Sequence, residues 1–413
     1  MYRKAKDIDS AASFGSLHNF DAEEIKVRHS MFPSSKADLK PFRGTVGEER
    51  GLKSAYTIIR PIMISAMSYG ALGSNAVRAL AREARLASIP MNTGEGGFPK
   101  YHLMEGCDLI FQLGTEKFGV RNEDGTLHEE KLRELTAKPE IKMIEIKLSQ
   151  GAKPGKGGLL PKEKISDEIA ELRGVSKDKD VVSPPHHAEC KDLSTTVSFI
   201  KHVQEVGGLP TGIKLCVGSL NEFKALIGEM KRQDVFPDYI SIDGSEGGTG
   251  AAPRAFLDRV GMPLLPALCG VQHILIEEGV RKRVKLFAAG KLIDPSSQIL
   301  AFALGADVIY SARGFMLSLG CIQAMQCGNN TCPVGITTHD PSLTRGLVIG
   351  EKAVRIKNYV EHIEHDLVEL LAATGKRSLH ELTLDNLYVP SQSSLAGMVR
   401  EDPFFKPEIS AVV

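Results

Sequence analysis

From about residue 60 onward the chain alternates short apolar runs with longer amphipathic ones, and this alternation constrains the fold more than any other feature. Candidate strands fall at 61–66, 89–92, 109–113, 141–148, 181–183, 212–217, 239–243, 285–289 and 307–311. Helical patterns lie between them, at 74–87, 221–231 and 295–304. Strand–helix–strand order sustained over this length is a βα repeat, which builds a parallel sheet. The run at 181–183 leads into Pro184-Pro185. A central parallel strand does not tolerate lost N–H donors there, so this run is read as a loop. Eight strands over roughly 250 residues is the size of a (β/α)8 TIM barrel. The rival is a doubly wound sheet, which opens with a G-x-G-x-x-G turn after its first strand. Here the first strand runs into Met67-Ser68-Tyr69-Gly70-Ala71, without that turn. The predicted class is therefore α/β: a TIM barrel over 56–348, preceded by an N-terminal arm (1–55) and followed by a C-terminal helical extension (349–413).

The flanks carry no chemical signal. Residues 1–55 are polar and irregular, with Phe14, Phe20, Phe32 and Phe42 spaced widely enough to staple an arm onto the barrel. The stretch 349–375 has apolar residues at helical spacing and ends at Gly375. Its His362 and His365 lack a third ligand and read as a solvated helix face. The tail, 376–413, reads as a docking extension. Lys+Arg and Asp+Glu balance at 51 each, so no polybasic surface for nucleic acid or anionic lipid is expected. The first ten residues have no apolar core and form no secretory signal. The longest apolar run, 299–310, is interrupted by Asp307 and is too short to cross a bilayer. Forty glycines and no Trp suggest many tight turns rather than a sandwich. Unpaired, clustered cysteines suit a reducing compartment, so a cytoplasmic location is expected.

In a TIM barrel the chemistry sits at the C-terminal strand ends, and the unusual residues of this chain fall there. After the second strand comes Asn92-Thr93-Gly94-Glu95-Gly96-Gly97. Its glycines would let backbone approach a flat ring; an ordinary Gly-rich turn reads as well. The third strand ends in Gln112-Leu113-Gly114, followed by Lys117-Phe118-Gly119-Val120. The fourth runs Glu145-Ile146-Lys147-Leu148-Ser149-Gln150-Gly151-Ala152-Lys153-Pro154-Gly155-Lys156. Its three lysines read either as a solvated basic loop or as a cationic barrel mouth. Lys147 alternates with apolar neighbours, so it points into the barrel end, and a buried lysine needs a partner. Lys214, between Ile213 and Leu215 on the fifth strand, likewise wants an anion. The sixth strand ends in Asp243 and a run that includes Gly247, Gly248 and Thr249. The seventh ends in Ala289-Gly290-Lys291, and the eighth in Ala312-Arg313-Gly314, read as a tight turn. Loops after strands seven and eight form the usual phosphate site of this fold, which nominates Gly290, Lys291 and Gly314. Each glycine taken singly reads equally well as a plain turn. The pair His186-His187 suggests a metal, but adjacent side chains diverge in extended chain and zinc is not expected.

Three of the seven cysteines, Cys321, Cys327 and Cys332, form a C-x5-C-x4-C pattern beside Gly328, Asn329, Asn330 and Pro333. Free cysteine packs as a small apolar residue, but this is loop composition, and loops carry ligands more often than core. Three thiols and no local His are too few for a closed zinc site, and four-cysteine iron–sulfur patterns do not fit. A three-iron cluster would need three ligands.

These motifs together resemble the FMN and iron–sulfur domain of the glutamate synthase large subunit. The shared features are C-x5-C-x4-C-P-V-G, N-T-G-E-G-G in full, an I-K-x-x-Q-G-A-K-P-G-x-G-G segment, and a G-G-T-G-A run after strand six. Departures are Lys117 where the family has Arg, Lys156 where it has Glu, and His186 and Glu189 in the loop 183–189. Arg and Lys are not equivalent for bidentate anion binding. The resemblance covers about residues 60–350. It implies FMN held by Ser68, Asn92, Thr93, Glu95, Gly96, Gln112, Lys214, Asp243, Gly247, Gly248, Thr249, Gly290, Lys291, Ala312 and Gly314. It further implies a [3Fe–4S] cluster on Cys321, Cys327 and Cys332, with Lys147, Gln150 and Lys153 facing the flavin and 2-oxoglutarate.

The implied activity is reductive amination of 2-oxoglutarate by ammonia, through 2-iminoglutarate, to L-glutamate. The chain starts Met1-Tyr2 without a nucleophilic cysteine, so it is expected to use free ammonia or a separate amidotransferase. A ferredoxin or NAD(P)H-linked donor subunit is expected to supply electrons. Two rivals remain: an FMN amino-acid oxidoreductase with another substrate, and a non-catalytic electron-transfer subunit.

Overall fold

The computed structural model describes residues 25–248, 252–257, 259–391, 393 and 395–397. Eight parallel strands close into a barrel: β1 (Ile62–Ile64), β2 (Met91–Asn92), β3 (Leu109–Leu113), β4 (Ile141–Lys147), β5 (Thr211–Leu215), β6 (Tyr239–Asp243), β7 (Lys285–Ala289) and β8 (Val308–Ser311). Each strand pairs with its sequence neighbours, and β8 returns to β1. All eight predicted strand positions are occupied. The run near 181 is a strand after all, of two residues. Val181–Val182 pairs antiparallel with Leu159–Leu160 in a hairpin outside the barrel, where Pro184 costs no ladder bond.

Strand periodicity of two separates inside from outside. The barrel interior is a core of its own: Met63, Ile110, Met143, Tyr239, Phe287, Ala289, Val308 and Tyr310. The Tyr239 and Phe287 rings stack at 4.3 Å and Tyr310 meets Phe287 edge-on. Tyr239 fits because Gly212 on the adjacent strand has no side chain; a Cβ there would lie 2.4 Å from the ring. Val46 and Ile58 join this core from an antiparallel hairpin, Gly44–Val46 with Tyr56–Ile58. Their membership in the interior cluster makes the hairpin a plug for the barrel. Above the aromatic layer the same inward positions turn polar: Asn92, Gln112, Glu145, Lys147, Lys214, Ser241 and Asp243.

The helices wrap the outside: α1 (Ser74–Ala87), α2 (Lys100–Leu103), α3 (Glu129–Thr136), α4 (Asp167–Arg173), α5 (Leu193–Gly207), α6 (Leu220–Gln233), α7 (Leu264–Glu277), α8 (Pro295–Ala303) and α9 (Arg313–Ser318). Arg313 and Gly314 are the first turn of α9 rather than a free turn. After α10 (Pro341–Thr344), the 25-residue α11 (Ile349–Ala373) buries Ile356, Val360, Ile363 and Leu367 and packs along α1.

The N-terminal arm is held differently from expectation. Phe42 packs on Phe302 and His380, but Phe32 is 83% exposed and staples nothing. Backbone bonds from Ser30 and Ser34 to the last carbonyls of α11 do that work. Phe14 and Phe20 lie outside the described residues. Among the described residues no helix is long and apolar enough to cross a membrane.

Candidate functional site

A cavity of about 250 Å³ opens at the C-terminal end of the barrel. Of the residues nominated from sequence, Ser68, Glu95, Gln112, Lys147, Gln150, Lys214, Asp243, Gly247, Gly248, Gly290, Lys291 and Ala312 line it. Asn92, Thr93, Gly96 and Lys153 stand behind the wall. Thr93 accepts from the Gln112 amide at 3.1 Å, and Gly96 sits where a Cβ would strike Ser68 at 2.7 Å. Lys153 Nζ donates to the Gly157 carbonyl at 2.7 Å. Gly314 is packed on α11: a Cβ there would fall 2.0 Å from the Tyr359 hydroxyl. Thr249 lies outside the described residues.

Register explains why the cations meet. Lys147 and Lys214 are directly paired across β4 and β5, both on the inward face. Each has its own counter-ion: Lys147 contacts Glu95 at 2.7 Å and Lys214 contacts Asp243 at 3.2 Å. Burial lowers the Lys214 pKa, but Asp243, Glu145 and Glu95 outweigh it and hold it above the ordinary value. Glu95 shows the mirror case. Burial pushes its carboxyl up, and Lys147, Lys153 and Arg173 together bring it below the usual range. Lys153 is pulled down to about 8, by burial first and by Lys147 second.

Arg173 was not legible as a site residue. It ends α4, is buried, donates from one Nη to the Tyr69 carbonyl at 3.0 Å, and leaves its Nε without a hydrogen-bond partner. Helix α4 is tied down by Glu168, which accepts from the Tyr69 hydroxyl at 2.6 Å and from Tyr101, and pairs with Lys100. In sequence this Arg looks like any helix-end cation; only its burial singles it out. Lys164 was missed for the same reason. It lines the cavity and donates to the carbonyls of Ala71 at 2.7 Å and Cys327 at 3.2 Å.

The residues that depart from the family motifs sit elsewhere. Lys117 is fully buried, pairs with Glu189 at 2.9 Å and donates to the Gly125 carbonyl. It does not line the cavity. Lys156 lies over the Phe256 ring. His187 is pushed down to about 4 by burial, and its neutral ring meets the Lys147 carbonyl through Nε2 at 3.0 Å. His186 bonds the His187 carbonyl, so the two imidazoles diverge.

Cys327 lines the cavity, Cys332 is buried and Cys321 is half-buried. Burial raises the Cys321 thiol, and the neighbouring Cys327 and Cys332 raise it further. For Cys332, burial is outweighed by hydrogen bonds from Thr337, Val334 and Ile336, and its thiol is lowered. That environment suits a thiolate. Among the described residues, however, no group of three His, Cys, Asp or Glu side chains stands at metal-binding geometry. Cys107 and Cys216 are pushed to about 12 and Cys190 to about 11, chiefly by burial, as inert thiols are.

The cavity fits a flat, singly phosphorylated cofactor. The buried cation Lys214 lines it, as do Gly247, Gly248 and Gly290, which bring bare backbone to the wall, and Lys291 and Arg313. Gly94, at φ +65°, brings its chain within a Cβ's reach of the Ser68 amide, keeping that wall thin.

Comparison with known proteins gives one consistent family. A conserved region of glutamate synthase matches residues 8–377. The glutamate synthase large subunit-like protein YerD of Bacillus subtilis is 40% identical over 366 residues, covering 88% of this chain and 70% of that protein. The archaeal glutamate synthase (NADPH) of Methanocaldococcus jannaschii is 34% identical over 322 residues, 78% of this chain and 60% of that one. Among solved structures, a flavocytochrome b2 double variant with sulfite bound aligns with a TM-score of 0.59 at 14% identity, covering 91% of this chain and 80% of that one. A mandelate oxidase variant with a monooxide FMN adduct gives a TM-score of 0.56 at 14% identity, covering 94% and 98%. These last two share the fold. The chain spans 60% to 70% of the length of the two sequence relatives.

Proposed function

The chain belongs to the glutamate synthase family, and from that premise we propose that it is an FMN-dependent oxidoreductase that reductively aminates 2-oxoglutarate to L-glutamate. The observation that carries this reading is a charge count. Lys147 at the cavity wall, and Lys153 and Arg173 buried behind it, all act on the one carboxylate of Glu95, leaving a surplus of two positive charges behind that side of the cavity. A dicarboxylate supplies the two negative charges such a site needs, and charge-assisted hydrogen bonds are the strong ones.

Bound FMN would supply the hydride chemistry, with the protein orienting and tuning it. Lys214 would hold the electron-rich edge of the ring through fixed positive charge in a water-poor site. Gly290, Lys291 and Ala312 would receive the phosphate, with Ser68, Glu95, Gln112, Asp243, Gly247 and Gly248 closing around the ring and Asn92, Thr93 and Gly96 backing that wall. Gln150 would donate to the 2-oxo or imino group while the cations hold the carboxylates; holding the imine near the ring converts a collision into an intramolecular step. Cys321, Cys327 and Cys332 would carry a [3Fe–4S] cluster fed by a separate ferredoxin or NAD(P)H-linked donor. Ammonia would come free or from a separate amidotransferase. The burial of Lys117 away from the cavity removes one reason to favour a different 2-oxo acid.

Titration of the holoprotein with 2-oxoglutarate tests the reading. A saturable change in the flavin absorption spectrum is expected, lost in Lys153→Ala with Arg173→Ala. No change with 2-oxoglutarate, or FAD or a nicotinamide in the acid extract instead of FMN, would overturn it.

A further inference from the structure

Beneath the cavity floor lies a carboxylate that the reading above does not use. Glu145 is on β4, two residues before Lys147, with no exposed surface. Its two oxygens are treated unequally. Oε1 accepts from Asn92 Nδ2 at 2.8 Å and from Gln112 Nε2 at 2.7 Å. The Tyr310 hydroxyl, itself an acceptor from Asn92, also bonds the carboxyl. Oε2 has no partner at all. Two donors at Oε1 and the Tyr310 hydroxyl favour the carboxylate, while burial, with a bare second oxygen, favours the acid and is the largest influence on the group.

We propose that Glu145 is the redox-linked proton site of the barrel, its free oxygen taking up a proton when the bound flavin is reduced and releasing it on reoxidation. This rests on the FMN placement proposed above. The charged group acting on Glu145 is Lys214 on β5, which Asp243 on β6 and Glu95 after β2 also face; Lys147 follows Glu145 on β4, and the Tyr239 and Tyr310 side chains approach from β6 and β8. With oxidised flavin, Lys214 and the hydrogen bonds from Asn92, Gln112 and Tyr310 oppose the burial that raises the Glu145 carboxyl; on this proposal they suffice to leave it ionised in that state. Two electrons from the external reductant and one proton from solvent convert FMN to its singly anionic reduced ring, beside Lys214. That ring charge competes with Glu145 for the Lys214 field, and a second solvent proton goes to Oε2. The carboxyl becomes neutral, no bond to the ring changes, and the net charge of the barrel is restored. Gln112, Lys214 and Tyr310 all line the cavity, so groups that act on Glu145 also face the proposed flavin site. Coulomb coupling through so dry a core makes this exchange of charge strong.

The test is the pH dependence of the flavin midpoint potential of the holoprotein, by anaerobic electrochemical titration around neutral pH. The native protein should take up one proton for each electron. Glu145→Gln, which keeps the Oε1 acceptor, should take up one proton for each pair of electrons, halving the pH slope. A native slope of one proton per pair, or a variant slope equal to the native, would overturn the proposal. Lys214→Met separates the two failures. If it lowers the potential while Glu145→Gln leaves the slope alone, only Glu145's role fails; if neither variant moves potential or slope, the FMN placement fails. Should Glu145→Gln not fold, Tyr310→Phe removes a donor to the carboxylate and should shift the two-proton range to higher pH. An unchanged range there would count against the proposal.

Discussion

Lys214 and Lys153 are both buried lysines, yet their surroundings set them to opposite tasks. Lys214 is fixed in its charged form by Asp243 and Glu145. Lys214→Ala should therefore lower the flavin midpoint potential, because it removes a cation where negative charge develops on reduction; spectroelectrochemistry reads this, and an unchanged potential would place Lys214 away from the ring. Lys153 has only Glu95 to offset its burial and the Lys147 charge, and its pKa falls to about 8. Since a lysine binds anions only when protonated, its contribution is present below that value and lost as pH rises through it. The KM for 2-oxoglutarate should rise above pH of about 8, and Lys153→Arg should flatten that rise, since an arginine stays charged. Arg173 and Lys153 stand behind the cavity wall, so removing either takes away a buried positive charge rather than a direct hydrogen bond, and each alanine variant should raise the KM for 2-oxoglutarate. The lysines on strands were legible in the sequence, because an isolated cation between apolar residues of a strand has only the barrel interior to point into. Arg173 and Glu145 were not legible as actors. One looks like a helix end and the other like a motif position, and only tertiary burial distinguishes them.

At the scale of elements, the strands and the loops that follow them were readable, and the short elements between β4 and α5 were not. Strand positions follow from apolar runs with punctuation, and all eight recur at the expected places. Helix α4 and the hairpin of Leu159–Leu160 with Val181–Val182 carry too few residues for any period to show. Their positions come from contacts distant in sequence: Glu168 to Tyr69 and Tyr101, and Arg173 to the Tyr69 carbonyl. This latch aims Arg173 at Glu95. Glu168→Ala should loosen α4 and raise the KM for 2-oxoglutarate while leaving the flavin potential unchanged. Equal losses of FMN and of substrate binding would show that the latch serves general stability instead.

For the whole molecule, the barrel has a sealed end and a working end. The hairpin around Val46 and Ile58 joins the aromatic layer inside the barrel, and the polar layer opens into the cavity. Ile58→Ala should leave a void in that seal and cost about 2–5 kcal/mol, seen as a lowered Tm with flavin retained. The central claim concerns the open end: that reduced flavin there meets the imine of 2-oxoglutarate. Anaerobic stopped-flow mixing of the photoreduced holoprotein with 2-oxoglutarate and ammonium tests it most directly. The account predicts flavin reoxidation that needs both compounds together and yields one glutamate per flavin. Reduced flavin that persists in the presence of both, or reoxidation by 2-oxoglutarate without ammonium, would contradict it.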